Sequence, residues 1–277
     1  MIIYSKNHLF MKKLLIPISL IIMFLACKNE LKISPLKFTS QTLKQEKMEA
    51  DSSSSFGADV QYLIAEGGNL GVAKAINDTI QNAITATLSF GGGDTAFTKM
   101  DVSTALAKFR KGYDTQLAEA LKMPVKERFS SSYDYSSAVK AVSQNAKVTV
   151  IRINEDIYMG GAHPMGTITS FVFDNQTGKT IKLATLVKNK EALVKILEEN
   201  FRKEKEIDPK TPLEEVIFAD DENKHLPLPY SYELSEDGKG ITFIYDSDEV
   251  AAHAFGSTIF TVPFESLANC MDFNTIK

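Results

Sequence analysis

Among side chains able to do chemistry, the histidines come first. His163, His225 and His253 are the three that follow the N-terminal apolar segment. Three imidazoles are enough for a zinc site, but such sites pair their ligands at short spacings such as H-x-x-x-H, and these three lie on separate segments. The sequence therefore predicts no metal centre. His163 has the most telling surroundings, Tyr158-Met159-Gly160-Gly161-Ala162-His163-Pro164. Gly160 and Gly161 can take positive φ and admit a second backbone closely, while Pro164 steers His163 away from the helical region. The reading is a stiff, open bend that displays one imidazole. An imidazole becomes a general base only beside a nucleophile or a metal, and the chain contains no G-x-S-x-G, H-E-x-x-H or Walker motif. Tyr158, Gly160, Gly161, His163 and Pro164 are thus expected to bind, no residue is assigned to catalysis, and no cofactor is expected. The competing expectation is a hydrolase in which His163 works with carboxylates from neighbouring loops.

Cys27 carries a different chemistry. No Asp or Glu precedes it; Lys6, His8, Lys12 and Lys13 are followed by the apolar run Leu14 to Ala26. That run is shorter than the ~20 residues a membrane-spanning helix needs, and a basic stretch leading into a short apolar one is a secretory signal. Met11, directly before Lys12 and Lys13, is an alternative start. Phe24-Leu25-Ala26-Cys27 resembles a bacterial lipobox, which implies cleavage before Cys27 and its acylation, palmitate being a typical chain. Two or more such chains anchor stably, each buried methylene contributing ~0.8 kcal/mol. Lys28-Asn29-Glu30 is similar to the charged signal that sends lipoproteins of the Bacteroidetes to the outer cell surface. The expected location is the outer membrane or cell surface, with the mature chain outside the cytoplasm.

Residues 1–26 hold three lysines and no acid, so their removal moves the formal charge from -4 to about -7. An acidic body argues against nucleic acid as a partner and favours a basic one. With Cys27 lipidated, Cys270 has no partner, so a hydrophobic core must hold the fold.

The elements that must position the bend follow from periodicity. Residues 27–55 are polar and read as a flexible tether, with one short strand at Leu36-Lys37-Phe38-Thr39. Residues 56–128 read as a strand and helix module. Phe56, Ala58, Val60, Tyr62 and Ile64 alternate as a strand; Asn69 caps a helix carrying Leu70, Ala73, Ile76, Ile80, Ile84 and Leu88; and a second helix runs from Phe97 to Leu121. The glycine triplet Gly91 to Gly93 between them lacks the Lys and Ser or Thr of a phosphate loop and reads as a helix stop. Residues 129–277 form the C-terminal domain, with strands near 133–142, 147–158 and 166–174. Asn175 to Gly178 is a turn into a strand at Lys179 to Leu183. A helix over Asn189 to Glu206 and a short helix after Pro212 follow. Asp220 to Asn223 is an acidic loop without EF-hand spacing. Strands at Tyr230 to Leu234, Ile241 to Tyr245 and Thr258 to Pro263 close the chain, with Asp246 to Gly256 a loop or short helix. Consecutive hairpins imply antiparallel pairing.

The bend, Phe173-Asp174 with Thr177-Gly178-Lys179, Leu226-Pro227-Leu228-Pro229, and Phe255-Gly256 leading to Val262-Pro263-Phe264 together resemble the RsiV-like extracytoplasmic domain family. That domain also forms the non-catalytic part of the peptidoglycan deacetylase PdaC, and the resemblance spans roughly residues 56–267. It implies an α+β fold, an antiparallel sheet packed with several amphipathic helices, in an envelope protein that binds and does not catalyse. The partners it implies are a lysozyme-like basic protein or a peptidoglycan fragment. Two departures from the family are expected: a lipid anchor in place of the cytoplasmic sigma-binding segment and membrane span of RsiV, and no counterpart of the deacetylase's catalytic domain. His253 is not part of the family pattern.

Overall fold

In a computed structural model the described residues are 35–48, 54–92, 99–127, 132–218 and 224–277. Cys27, the expected signal segment at residues 1–26 and the acidic stretch 220–223 lie outside them. Among the described residues five strands form one sheet in the order β1 (Lys37–Met48), β2 (Ser55–Glu66), β3 (Ser132–Gln144), β4 (Val148–Tyr158) and β5 (Met165–Asp174). A second sheet holds β6 (Ser231–Leu234), β7 (Gly240–Tyr245) and β8 (Thr258–Pro263) in that order. The helices are α1 (Leu70–Gly91), α2 (Val102–Lys122), α3 (Lys190–Glu204) and the single turn α4 (Phe264–Leu267). None is long and apolar enough to cross a membrane. The fold is α+β, as expected.

Several elements depart from the expectation, each for a physical reason. The tether contains a twelve-residue strand: β1 pairs with β2 along its full length, from Lys37 opposite Glu66 to Met48 opposite Ser55. Its side chains are almost all exposed, so backbone hydrogen bonds hold it and no buried face marks it. Pairing is not antiparallel throughout, because β2 and β3 run parallel from Ser55 opposite Ser132 to Val60 opposite Ser137. The crossover that parallel pairing requires is supplied by α1 and α2. Strands from both sides of the expected boundary at residue 128 therefore share one sheet. Helix α2 starts at Val102, where the Asp101 carboxylate caps it by accepting from the Thr104 N–H at 2.9 Å. Lys179 to Leu183 forms one bridge, Phe173 to Thr180, and then a 3-10 turn over Leu183–Leu186, instead of a strand. The short helix after Pro212 is a 3-10 turn of three residues.

The sheet is buried on both faces at β4, and this places the bend. Ile151, Ile153 and Ile157 face a core built from the stripe Val72, Ile76, Ile80, Ile84 and Leu88 of α1 with Phe109 and Tyr113 of α2. Val148 and Val150 project into a second core with Leu193, Leu197 and Phe201 of α3 and Phe243, Tyr245 and Phe260 of the small sheet. Alternation along β4 sends successive side chains to opposite cores. Each fully buried Ile, Leu or Phe contributes about 1.5–3 kcal/mol. Asn69 caps α1 by accepting from Gly71 and Val72, and its amide donates to the Gln176 carbonyl at 3.2 Å, so the turn after β5 docks on that helix.

An ion pair sets the two sheets against each other. Arg152 of β4 donates through Nε to Glu233 Oε2 of β6 at 3.1 Å, and its Nη2 contacts the other carboxylate oxygen. Ser170 of β5 donates to the same carboxylate at 2.9 Å. The Glu233 side chain is 1% exposed and that of Arg152 23%. This junction, with the second core, ties β4 and β5 to β6.

Candidate functional site

The bend joins β4 to β5 at the end of the large sheet opposite Lys37, where the chain enters. Gly160 has φ 87° and Gly161 φ 102°, conformations that side chains strongly disfavour. Among the described residues, no atom beyond the chain neighbours lies within 4 Å of where a Cβ would stand on either, so the glycines serve the turn itself and not a close backbone approach. The Tyr158 hydroxyl donates to the Gly161 carbonyl at 3.0 Å and braces the turn. His163 is exposed, and its Nδ1 lies 3.0 Å from the Pro164 carbonyl; a carbonyl only accepts, so Nδ1 carries the proton there.

The partner of His163 is a second imidazole. Its ring stacks on His253 with centroids 3.8 Å apart and planes 18° from parallel. His253 sits in a 3-10 turn, His253–Phe255, between β7 and β8. Asp248 Oδ2 and Ser247 Oγ lie 2.8 and 3.2 Å from its Nδ1. A serine, a histidine and an aspartate in contact invite comparison with a hydrolytic triad. In a triad, however, the acid and the nucleophile occupy opposite ring nitrogens, so that one orients while the other gives up its proton. Here both sit on Nδ1, and among the described residues His163 forms no hydrogen bond or ion pair with a carboxylate. His225 is engaged elsewhere, with Glu198 of α3 at 3.0 Å. Among the described residues no three His, Cys, Asp or Glu side chains converge as metal ligands.

The surroundings are acidic. In the large sheet Asp134 stands opposite Tyr158, and Asp156 two residues before it. Burial, and then the Asp156 charge, raise the Asp134 carboxyl above its ordinary value. Glycines leave room for both carboxylates: a Cβ on Gly57 would lie 2.2 Å from Asp134 Oδ2, and one on Gly166 2.8 Å from Asp156 Oδ1.

A cleft of about 670 Å3 opens beside the stack, lined by β5 at Ile168 to Val172, by Leu228 to Tyr232 and by Asp246 to Glu249. None of the bend residues Tyr158 to Pro164 lines it; Asp248 touches both features, through His253 on one side and the cleft wall on the other. Of the residues singled out from sequence, the structure gathers Tyr158, Gly160, Gly161, His163 and Pro164 into one turn. The partners His253, Asp248 and Ser247 were missed, since nothing local in the sequence couples positions about 90 residues apart.

This architecture, a mixed five-stranded sheet with α1 and α2 against one face and α3 with a small antiparallel sheet against the other, is similar to that of two DUF3298 proteins of known structure. Residues 184–265 match the DUF3298 family, described as a protein of unknown function. A DUF3298 family member from Bacteroides fragilis NCTC 9343 superposes with a TM-score of 0.67 at 19% identity, covering 88% of this chain and 96% of that one. A DUF3298 family protein from Pseudomonas aeruginosa PAO1 gives 0.58 at 13% identity, covering 88% and 97%. No curated protein matches the chain.

Proposed function

We propose that this chain is a lipid-anchored envelope protein, held at the outer membrane or cell surface by an acylated Cys27, whose body is a non-enzymatic, RsiV-like binding module. Its ligand is a basic protein of lysozyme type or a cell-wall fragment. The observation that carries this reading is the exposed His163–His253 stack, at the sheet end that also bears Asp134 and Asp156. An aromatic surface with Asp248 against one ring and Asp134 and Asp156 at the same sheet end would recognise a cationic partner by charge, and asks for no proton transfer. The hydrogen-bonded contacts of both rings are spent on structure: Nδ1 of His163 on Pro164, Nδ1 of His253 on Asp248 and Ser247. The acidic balance of the chain and the lipobox support the same reading.

Two measurements test it. Mass spectrometry of the N-terminal peptide from the membrane fraction should find Cys27 acylated at the first position; an unmodified Cys27 would refute the anchor. Titration of the lipidated protein in detergent with lysozyme and with peptidoglycan fragments should saturate. Absence of binding to both at ~100 μM, about -5.5 kcal/mol, would refute the module. Release of reducing ends from peptidoglycan in the same samples would instead assign hydrolysis to His163 and neighbouring carboxylates.

A further inference from the structure

The cleft beside the histidine stack holds two carboxylates, Asp246 and Glu249, that no basic side chain among the described residues neutralises, whereas Asp248 is in contact with His253. Asp246 and Glu249 are half-buried in its wall and Asp248 lies between them in sequence. The hydrogen bonds of Asp246 and Glu249 come from neutral donors. Glu249 accepts from the backbone N–H of Tyr230 at 3.0 Å and of Asp246 at 2.8 Å, and Asp246 accepts from the N–H of Ile168 and Ser247 and from the Ser257 hydroxyl. Among the described residues no lysine or arginine forms an ion pair with any of the three acids. Lys182 also lines the cleft, yet makes no such pair. Burial disfavours the charged form of both Asp246 and Glu249, and each additionally feels a neighbouring carboxylate. Like charges left half-desolvated and uncompensated are costly, and a cation placed against them recovers that cost.

The rest of the wall suits a cation on an apolar stem. Ile168, Leu228 and Pro229 line it, and Tyr230, 89% exposed, stands at its rim. A tyrosine ring at such an entrance offers a face to a methylene chain or an ammonium group. The outer edge of β5 is already taken at two points: the Ile168 N–H by the Asp246 carboxylate and the Ser170 N–H by the Ser231 hydroxyl at 3.2 Å. A peptide strand adding to that edge would have to displace both, so an occupant enters by its side chain and not by its backbone. We infer that this cleft is a second binding site, separate from the bend, that takes the side chain of a lysine presented by another protein. Asp246 and Glu249 receive the ammonium group, and Tyr230 covers the stem.

The test uses the full lipidated chain in detergent and ligand-observed saturation-transfer NMR, with Nα-acetyl-lysine methylamide as probe. The norleucine analogue, which keeps the stem and lacks the charge, is the comparison. Saturable transfer to the lysine side chain is expected, with the norleucine analogue at least ~10-fold weaker. Tyr230→Ser should weaken the lysine probe several-fold while circular dichroism stays unchanged. Asp246→Asn with Glu249→Gln should remove most of it, and 0.5 M salt should reduce it. Equal transfer to both probes, or lysine transfer untouched by Tyr230→Ser and by the double substitution, would overturn the inference. Because the comparison needs no variant and no ligand of the bend, its failure is distinct from failure of the binding-module reading.

Discussion

Replacement of Arg152 by alanine tests whether the site is built by the register between the two sheets. Glu233 is left with one donor, Ser170, for a carboxylate whose side chain is 1% exposed. Breaking a fully buried ion pair by removing one partner costs about 3–5 kcal/mol, because a charge is stranded without compensation. The Arg152 side chain is 23% exposed, so water reaches part of the vacated space and the expected loss is about 2–4 kcal/mol. That is a large share of the ~5–15 kcal/mol by which domains of this kind are stable. Urea unfolding at neutral pH reads the loss as a lower midpoint at unchanged slope. The double replacement Arg152→Met with Glu233→Leu removes both charges and should return to within about 1 kcal/mol of the parent, since neither charge is then stranded. Proton NMR of the imidazole Cε1–H groups reports the site: in Arg152→Ala the ring-current shifts that His163 and His253 impose on each other should diminish. A loss below ~1 kcal/mol, or imidazole signals unmoved while stability falls, would refute a link between the ion pair and the histidine stack.

Other outcomes follow from single contacts. Glu155 lies in the first core, accepts from the Tyr135 hydroxyl at 2.7 Å, and is raised above its ordinary value, chiefly by burial. A carboxyl raised in the folded state holds its proton more tightly there than when unfolded, so its contribution is intact below the unfolded value and lost as pH rises through the folded one. The stability of Glu155→Gln relative to the parent should therefore improve from pH 5 to pH 8, and a flat difference in urea midpoints would count against it. Gly240→Ala would bring a Cβ 2.5 Å from the Val262 carbonyl oxygen, backbone against backbone, and should cost about 1–3 kcal/mol or more. Gly57→Ala meets only the movable end of Asp134, though at 2.2 Å, and should cost less than about 1 kcal/mol; the reverse order in thermal unfolding would show the strands to be more pliable than their packing indicates. His253→Ala removes the stacked ring, a contact of about 0.5–1.5 kcal/mol, and should accelerate amide exchange in residues 158–163 without lowering global stability by more than that amount.

The parts of the fold legible in the sequence are those in which one face of an element is buried. The α1 stripe Ala73, Ile76, Ile80, Ile84 and Leu88 with its Asn69 cap, and the β2 alternation from Phe56 to Val60, reflect local physics and form as read, whereas Leu70, read as part of the stripe, is exposed and Val72 is buried in its stead. Strand β1 was illegible beyond its first residues because both its faces are open: Lys44, Gln45, Glu46 and Lys47 have the composition of a tether, and only the ladder to β2 makes them a strand. The parallel step from β2 to β3 was hidden for another reason. Strand, two helices and strand read equally well as a closed module, and only the register shows that the second strand returns to the side of the first. At the candidate site the bend was legible from Gly160, Gly161 and Pro164, whose conformational demands are local. Its partner was not, since His253 arrives through the Arg152–Glu233 junction, a contact between sheets.

The same geometry bears on the proposal that the histidine pair serves recognition. A proton-transfer centre keeps one ring nitrogen aimed at a nucleophile and fixes the other with an acid. In the stack the two rings come from different sheets, and each Nδ1 is spent on the loop that carries it: Pro164 for His163, and Asp248 with Ser247 for His253. Each loop thus sets the plane of its own ring, and the register of the sheets brings the planes together. The result is a fixed pair of aromatic faces at an acidic sheet end. Asp248 ties that pair to the wall of the neighbouring cleft, so the proposed lysine site at Asp246 and Glu249 adjoins the histidine stack. Two adjacent features that each favour positive charge, by the acids beside the stack in one case and by uncompensated carboxylates in the other, fit a partner with several basic side chains spread over one face better than a small neutral substrate.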